Sequence, residues 1–168
     1  MGIREITPQE LNESTFKLIG EDWMLVTAAK DEEVNTMTAS WGGFGVMWNK
    51  NVTHIVLRPQ RYTKEFVDAS DTFSLTFFDK NYRKDLSYLG VVSGRDEKKL
   101  DKTSLTVEFI DGTPAFKEAR LTIICRKLYA QEMNPLSFID ISLDVSNYKN
   151  KDYHILYFAE IEKILVRD

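Results

Sequence analysis

The feature that most limits the fold of this chain is its series of strand-like segments, separated by turns and by only short helical stretches. β-Branched and aromatic residues concentrate in these segments, and turn-forming residues bound them. Strands are predicted over residues 23–29, 35–41, 51–57, 72–78, 105–110, 120–131 and 153–166. Because no helix alternates regularly with the strands, a doubly wound parallel sheet is disfavoured. We expect a mainly β fold, an antiparallel barrel with a few short helices.

Local signals place the short helices. The Thr-Pro-Gln-Glu sequence at residues 7–10 has the residue types of a capping box, so a helix is predicted over residues 7–20. Apolar residues at helical spacing predict two more helices over residues 62–70 and 81–89. With 168 residues, of which 43% are hydrophobic, the chain is long enough to bury a core. We expect residues 1–168 to form a single domain.

Cysteine content and hydropathy limit the class of protein. Cys125 is the single cysteine, which rules out an intrachain disulfide and a cysteine-rich zinc site. It lies in an apolar segment, where we expect a buried thiol rather than a nucleophile. The longest apolar run, residues 155–159, is far shorter than a membrane span, and residues 1–6 lack the apolar stretch of a secretory signal. We expect a cytoplasmic protein without a membrane partner.

The charge distribution points to a small anionic ligand. The formal net charge is -4 and the isoelectric point is about 5.3. Two segments nevertheless carry an excess of basic residues, 50–66 and 80–102. A nucleic-acid-binding protein more often has an extended basic face and a high isoelectric point, so a nucleic-acid partner is not expected.

The first basic segment contains a cluster of cations where a predicted strand meets a predicted helix. The cluster is Arg58-Pro59-Gln60-Arg61-Tyr62-Thr63-Lys64. The N–H groups at a helix start attract anions, and an arginine offers a forked donor that matches phosphate oxygens. The cluster therefore fits a phosphate site for a nucleotide-like cofactor. A solvated basic turn is the alternative, and charge alone does not decide between them.

Two further segments have residue types that suit a binding site. Residues 35–43 contain small hydroxyl residues followed by Trp41 and two glycines, which lets the backbone approach a flat ligand. The alternative is an ordinary strand with Trp41 in the core. Residues 93–99 form a loop in which Gly94 permits a turn and Arg95 can reach across an interface. The alternative for this loop is a solvated charged turn.

Several enzyme classes lack their signatures in this sequence. His54 and His154 are the only histidines, and no H-E-x-x-H pair occurs, so a catalytic zinc site is not expected. There is no G-x-S-x-G elbow and no P-loop. No metal is expected, and the sequence identifies no catalytic residue. His154 borders an apolar run, where a structural histidine is favoured over a ligand-facing one.

Taken together, the chain resembles the flavin reductase-like family of FMN-binding split-barrel proteins, in particular its flavoredoxin-type branch. The segments that carry the resemblance are Asn35-Thr36-Met37-Thr38-Ala39-Ser40-Trp41-Gly42, Arg58-Pro59-Gln60-Arg61-Tyr62-Thr63 and Ser93-Gly94-Arg95-Asp96. Their order and spacing are similar too, over about residues 23–164. The resemblance implies a Greek-key split β-barrel that forms a homodimer, with FMN near the subunit interface.

The resemblance also implies the contacts of the cofactor. Thr38, Ala39, Ser40 and Trp41 would line the isoalloxazine or ribityl part of FMN, and Arg58, Arg61 and Thr63 would hold its phosphate. Tyr62, Ser93 and Arg95 complete the set of expected cofactor-binding residues.

The expected activity follows from the cofactor, because a bound flavin carries out the redox chemistry. We expect hydride to pass from NADH or NADPH through FMN to a second acceptor, which is free flavin, a protein or a small molecule. A non-catalytic FMN electron carrier is the first alternative. A β-barrel module that binds another anionic ligand or single-stranded nucleic acid is the second.

Overall fold

The computed structural model describes residues 2–168, and Met1, the first residue of the predicted single domain, lies outside them. The described residues form ten strands and three α-helices. The strands are β1 (Ile3–Ile6), β2 (Met24–Lys30), β3 (Glu33–Ala39), β4 (Gly42–Met47), β5 (Lys50–Leu57), β6 (Thr72–Phe77), β7 (Val107–Ile110), β8 (Thr113–Phe116), β9 (Leu121–Glu132) and β10 (Ile155–Arg167). The helices are α1 (Tyr62–Ala69), α2 (Arg83–Val91) and α3 (Ile141–Asn147).

Eight of the strands form one antiparallel sheet. Seven follow the order β3-β2-β6-β9-β10-β5-β4, and β1 pairs with the far end of β10. The remaining hairpin, β7-β8, is a separate two-stranded sheet. Every pairing is antiparallel, and neighbours along the sheet are often distant in sequence. The predicted mainly β, antiparallel fold with a few short helices is therefore confirmed.

The main core packs against one face of the large sheet. Its side chains alternate along the strands, as Leu75 and Phe77 of β6 and Tyr157 and Ala159 of β10 do, and each is 1% exposed or less. α1 covers this core through Phe66 and Val67, whereas α2 contributes to a second cluster around Phe78 and Phe116. Cys125 is buried in the main core, and burial raises the pKa of its thiol, so the expected structural cysteine is confirmed.

The helix predicted over residues 7–20 is wrong. The capping box forms between Thr7 and Glu10, but it caps a single 3₁₀ turn, Pro8–Glu10, and a π-helical segment, Phe16–Asp22, follows after a break. Leu18 and Ile19 are adjacent in sequence and both buried, while Phe16 is 89% exposed. The apolar residues of this segment therefore do not share one α-helical face.

Several segment boundaries also differ from the prediction. β3 ends at Ala39, so Ser40 and Trp41 lie in the link to β4, and β10 begins at Ile155 rather than at residue 153. Sequence patterning did not predict β1, β4, β8 or α3. Proline and glycine residues obscured β8 and β4, and α3 buries none of its residues, so its pattern carries no core-facing face.

The link after Trp41 depends on a glycine. Gly42 has φ of +144°, and a Cβ atom at this position would lie 2.6 Å from the backbone oxygen of His54. Only glycine tolerates both the conformation and the close approach. The turn places Trp41 between the end of β3 and the start of β4, close to the end of β5 and the start of α1.

Among residues 2–168, no helix has the length and apolar character needed to cross a bilayer.

Candidate functional site

A surface cavity of about 200 Å³ lies where β3 and β5 end and α1 begins. Six of the ten residues predicted to bind a cofactor line it, together with three others that the prediction did not include. The predicted residues are Thr38, Ala39, Ser40, Trp41, Arg58 and Arg61, and the others are Met37, Val56 and His154. We call this the β3–β5 cavity. Two segments that are 20 residues apart in sequence thus meet in one small site.

Arg58 is held by the loop that leads into β10. Its Nη1 lies 3.0 Å from Oδ2 of Asp152, and its Nη2 donates to the backbone oxygen of Asn147 at 3.0 Å. Its guanidinium also lies over the ring of Tyr148, 5.1 Å from the ring centroid. Arg58 therefore stabilises the loop as well as lining the cavity, and part of its donor capacity is already used.

Two cations near the cavity lack an acidic partner, the half-buried Arg61 and the buried Lys99. Arg61 precedes α1 and donates from Nη1 to the backbone oxygen of Gly90 at 3.1 Å. Lys99 is 3% exposed and donates from Nζ to the backbone oxygens of Leu89 and Val92 at 3.1 and 2.9 Å. Neither forms an ion pair with a carboxylate of residues 2–168.

The pKa values of these cations reflect their burial. Burial, with the charge of nearby Arg61 as a second cause, lowers the pKa of Lys99 to about 8. Burial also lowers the pKa of Arg61. Two neighbouring cations that lack a counter-ion produce a positive potential that an anionic group would neutralise.

His154 also lines the β3–β5 cavity and, unlike Arg61, it is neutral at physiological pH. Burial, with the charge of Arg58 as a second cause, lowers its pKa to about 4. Its Nδ1 and the hydroxyl of Tyr148 are 2.7 Å apart, and its ring lies 5.1 Å from the ring of Trp41. His154 is therefore a hydrogen-bonded structural histidine, as expected, and it also faces the cavity.

Four predicted residues do not line the β3–β5 cavity. Thr63 is 1% exposed and accepts a hydrogen bond from Nδ2 of Asn35 at 2.8 Å, so it fixes α1 against β3. Tyr62 packs edge-on against Phe66. Arg95 lies over the ring of Tyr62 and pairs with Glu65 at 3.0 Å.

Ser93 is the fourth of these residues. Its hydroxyl accepts from the backbone N–H of Arg95 at 3.1 Å, which closes the turn of the loop. Gly94 brings this loop against β3, because a Cβ atom there would lie 2.3 Å from Oδ1 of Asn35. The loop thus borders a neighbouring cavity that Tyr62, Gly94 and Lys99 line.

Lys99 was not predicted as a site residue, because it lies in a charged run, Glu97-Lys98-Lys99, that is typical of a solvated loop. No pattern in the sequence indicates that the second lysine turns inward. Val56 and Met37 have residue types that are typical of any strand, so the sequence does not mark them as site residues. Their position at the cavity follows from the register of β5 and β3.

The residues of this region fit a flavin mononucleotide. Arg61 and Lys99 supply unneutralised positive charge for a phosphate, and Thr38, Ala39 and Ser40 offer small side chains along one edge. Trp41, which is 48% exposed, offers an aromatic surface for a ring. The cavity is smaller than the roughly 300 Å³ at which small-molecule pockets begin, so it encloses part of such a ligand and leaves the rest at the surface.

Comparison with known proteins assigns the chain to a family. Residues 17–168 match the model of the flavin reductase like domain, and the chain belongs to this family. The resemblance stated from the sequence motifs is thereby confirmed. Comparison with curated protein sequences gives no match.

Solved structures share the fold at low sequence identity. A flavoredoxin from Methanosarcina acetivorans has a TM-score of 0.69 at 21% identity, covering 88% of this chain and 69% of that one. An FMN-binding domain of a flavin reductases-like enzyme from Shewanella baltica has a TM-score of 0.71 at 17% identity, covering 98% and 77%. An FMN-binding protein from Thermus thermophilus with bound p-hydroxybenzaldehyde has a TM-score of 0.67 at 17% identity, covering 98% and 82%. The fold is the split barrel of the flavin reductase-like proteins.

Proposed function

We propose that this protein binds FMN at the β3–β5 cavity and uses it to pass electrons from NADH or NADPH to a second acceptor. The observation that carries the proposal is the meeting of Thr38–Trp41 with Arg58 and Arg61 at one cavity, near the buried cation Lys99. Family membership supports a flavin ligand.

Arg61, which lines the β3–β5 cavity, would hold the phosphate of FMN, and Lys99 in the neighbouring cavity would add positive charge. Arg61 is half-buried and Lys99 is buried, both carry a positive charge at pH 7, and no carboxylate within residues 2–168 pairs with either. Arg58 would both line the FMN site and hold the loop before β10, because its guanidinium already contacts Asp152 and the backbone oxygen of Asn147. Thr63 would support FMN binding indirectly, because its hydrogen bond with Asn35 fixes the position of α1. Tyr62, Ser93 and Arg95 support the adjoining loop in the same indirect way.

The ring system of FMN would lie along the end of β3 and against Trp41. Small side chains at Ala39 and Ser40 leave room for a flat molecule. His154 has Nδ1 engaged by Tyr148, so its Nε2 is the ring nitrogen that remains to bond a polar edge of the ligand. If Tyr148 donates to Nδ1, the neutral imidazole presents an N–H donor at Nε2.

When bound, FMN supplies a two-electron redox centre that accepts hydride from a nicotinamide and returns electrons to an acceptor. The chain's own contribution is binding, orientation and charge. Hydride transfer requires no protein acid or base, which agrees with a cavity whose only imidazole stays neutral above about pH 5. The bound p-hydroxybenzaldehyde of the Thermus thermophilus structure favours a small ring carbonyl compound as the acceptor here.

A homodimer is part of the proposal. Large apolar side chains on the hairpin of β4 and β5 and on β9 are exposed on the face that carries His54, namely Met47, Trp48 and Tyr129. Trp48 packs against Phe158, and Phe158 packs against His54, so these side chains form one patch on the outer face of the sheet. Exposed apolar patches of this kind mark interfaces.

This patch extends to the proposed flavin site. Val56 lies two residues after His54 on the same face of β5 and lines the β3–β5 cavity. A second copy seated on the patch would cover the open side of the cavity and the surface part of the flavin. The cytoplasm is the proposed location, since NADH and NADPH are available there.

A non-catalytic FMN electron carrier is the second candidate. The structural likeness to a flavoredoxin favours it, and the same cofactor residues would serve both functions. The two differ only in whether a nicotinamide reduces the bound flavin.

Two measurements test the proposal. Purified protein mixed with FMN should elute from gel filtration with flavin absorbance, and protein without flavin uptake would refute an FMN function. Addition of NADH or NADPH under anaerobic conditions should bleach that absorbance faster than it bleaches free FMN. Equal rates would refute the reductase and leave the electron carrier.

A further inference from the structure

A second cavity, of about 380 Å³, adjoins the same end of β3. It shares Thr38, Ala39 and Ser40 with the β3–β5 cavity, and its other walls are Trp23, Leu86, Ser87, Gly90 and Val91. The hydrogen bond from Arg61 to the backbone oxygen of Gly90 joins the two cavities directly, since Arg61 lines one and Gly90 the other. We call the second one the α2 cavity.

The walls of the α2 cavity are uncharged. None of the eight residues that line it, all within the described part of the chain, is acidic or basic. The hydroxyl of Thr38 is already committed to the backbone oxygen of Leu86 at 2.5 Å. Ser40 and Ser87 are exposed and remain as hydroxyl donors. Such a site suits a neutral molecule with one or two acceptor oxygens and disfavours a phosphorylated one.

Trp23 forms a fixed aromatic wall of this cavity. Its backbone has φ of 69°, a conformation that costs energy for a bulky residue and that persists only when its surroundings impose it. The guanidinium of Arg83 stacks 3.2 Å from the centroid of the indole ring. Arg83 is in turn bonded to the backbone oxygens of Glu21 and Asp22. A rigid indole of this kind favours a planar ring over a flexible aliphatic ligand.

We propose that the α2 cavity binds the electron acceptor, and that this acceptor is a neutral one-ring or two-ring quinone. The inference rests on the proposed flavin site, because the shared residues Thr38, Ala39 and Ser40 would put the acceptor next to the flavin. The volume of about 380 Å³ lies in the range of small-molecule sites. Val91, which is 85% exposed, stands at the entrance, so a ligand can exchange with solvent.

The overall reaction balances without further reagents. A quinone takes up two electrons and two protons and leaves as the hydroquinone. The nicotinamide supplies the two electrons and one proton as hydride and becomes NAD(P)⁺, and the second proton comes from water. No side chain of the α2 cavity has to carry charge during this exchange.

Binding of menadione, a two-ring quinone, tests the inference without relying on turnover. Equilibrium dialysis would measure its affinity for FMN-loaded protein. The variant Ser87→Phe fills the α2 cavity from an exposed helix position, and Lys84→Phe puts the same side chain one helical turn earlier, at an exposed residue that does not line the cavity. We expect Ser87→Phe to weaken menadione binding by about tenfold or more, and Lys84→Phe to leave it within about twofold.

FMN titrations of the same three proteins separate this inference from the proposed function. Unchanged FMN affinity with weakened menadione binding supports the acceptor site. Equal menadione affinity in Ser87→Phe and Lys84→Phe overturns it, and so does a loss of FMN affinity in Ser87→Phe, because the cavity then holds the flavin itself. Wild-type protein that binds no FMN refutes the proposed function instead. If Ser87→Phe does not fold, Val91→Arg at the exposed entrance gives the same comparison.

Discussion

Arg61 donates from its guanidinium to the backbone oxygen of Gly90 at 3.1 Å, which ties the start of α1 to the end of α2. Gly90 also packs closely against β3. A Cβ atom at this position would lie 3.1 Å from Cβ of Thr38, which is tighter than most such contacts. The bond brings three elements together at one point: β3, the N-terminus of α1 and the C-terminus of α2. The position of the proposed phosphate site therefore depends on the packing of both helices against β3.

Replacement of the two cavity arginines should have unequal effects on FMN binding. Arg61 lacks an acidic partner, whereas Arg58 is paired with Asp152. A charge-assisted hydrogen bond contributes about 1.5–3 kcal/mol, so we expect Arg61→Ala to weaken FMN binding by roughly 10-fold to 100-fold. Arg58→Ala should weaken it by about threefold. Fluorescence titration with FMN measures both.

Arg95→Ala is the matched control for these variants. Arg95 belongs to the predicted set but pairs with Glu65 outside the β3–β5 cavity. Its replacement should leave FMN affinity within about twofold. If Arg61→Ala binds FMN as tightly as Arg95→Ala does, Arg61 does not hold the phosphate.

The affinity for FMN should fall above pH 8. Burial lowers the pKa of Lys99 to about 8, and only the charged ammonium form attracts a phosphate. Bound phosphate raises that pKa, so FMN binding takes up a proton above pH 8. Affinity should fall by about tenfold between pH 7 and pH 9. Titrations in buffers of constant ionic strength give the profile.

Lys99→Met separates the lysine from other groups that titrate in this range. The variant keeps the length of the side chain and removes the charge, so its FMN affinity should be lower at pH 7 and nearly flat up to pH 9. The FMN-free wild type should also gain stability between about pH 8 and 10.5, because the unfolded lysine binds more protons there than the buried one. A flat pH profile in the wild type would contradict the role of Lys99.

Gly42→Ala should destabilise the turn that places Trp41. Gly42 has φ of +144°, and an added Cβ would meet the backbone oxygen of His54 at 2.6 Å. We expect a loss of about 2–4 kcal/mol in the free energy of unfolding, measured by urea denaturation. Gly45→Ala is the control on the same strand, because a Cβ there has nothing within 4 Å. Equal stability of the two variants would show that the turn is not constrained.

The oligomeric state should depend on the patch around Trp48. Light scattering should give twice the chain mass of 19.5 kDa for the wild type. Met47→Glu buries a charge at the proposed interface and should yield the monomer. Phe109→Glu changes an exposed side chain on the separate β7-β8 hairpin and should leave the dimer intact. A monomeric wild type would refute the homodimer.

Much of the fold could be predicted from the sequence because its strands are rich in β-branched and aromatic residues. Residues 72–78 and 120–131 were placed within one residue of β6 and β9. β4 escaped prediction because its three glycines carry no side-chain pattern. The helix predicted over residues 7–20 is wrong because the capping box closes only one 3₁₀ turn. The buried apolar residues after it, Leu18 and Ile19, belong to a π-helical segment and pack into the main core.

The candidate site could be predicted where residue type alone carries the chemistry. Arg61 and the small residues from Thr38 to Ser40 belong to this group. Lys99 could not be predicted, since its burial results from two backbone oxygens at the end of α2. His154 lies nearly a hundred residues from Arg58 along the chain, and only the pairing of β10 with β5 brings them together.

The most direct test of the account compares FMN with riboflavin, which lacks the phosphate. Titration of the wild-type protein with each should show FMN binding about 100-fold more tightly, because Arg61 holds the phosphate and the charge of Lys99 adds to the attraction. In Arg61→Ala this preference should fall to about tenfold or less. Equal affinities for FMN and riboflavin in the wild type would contradict a phosphate site at Arg61 and Lys99.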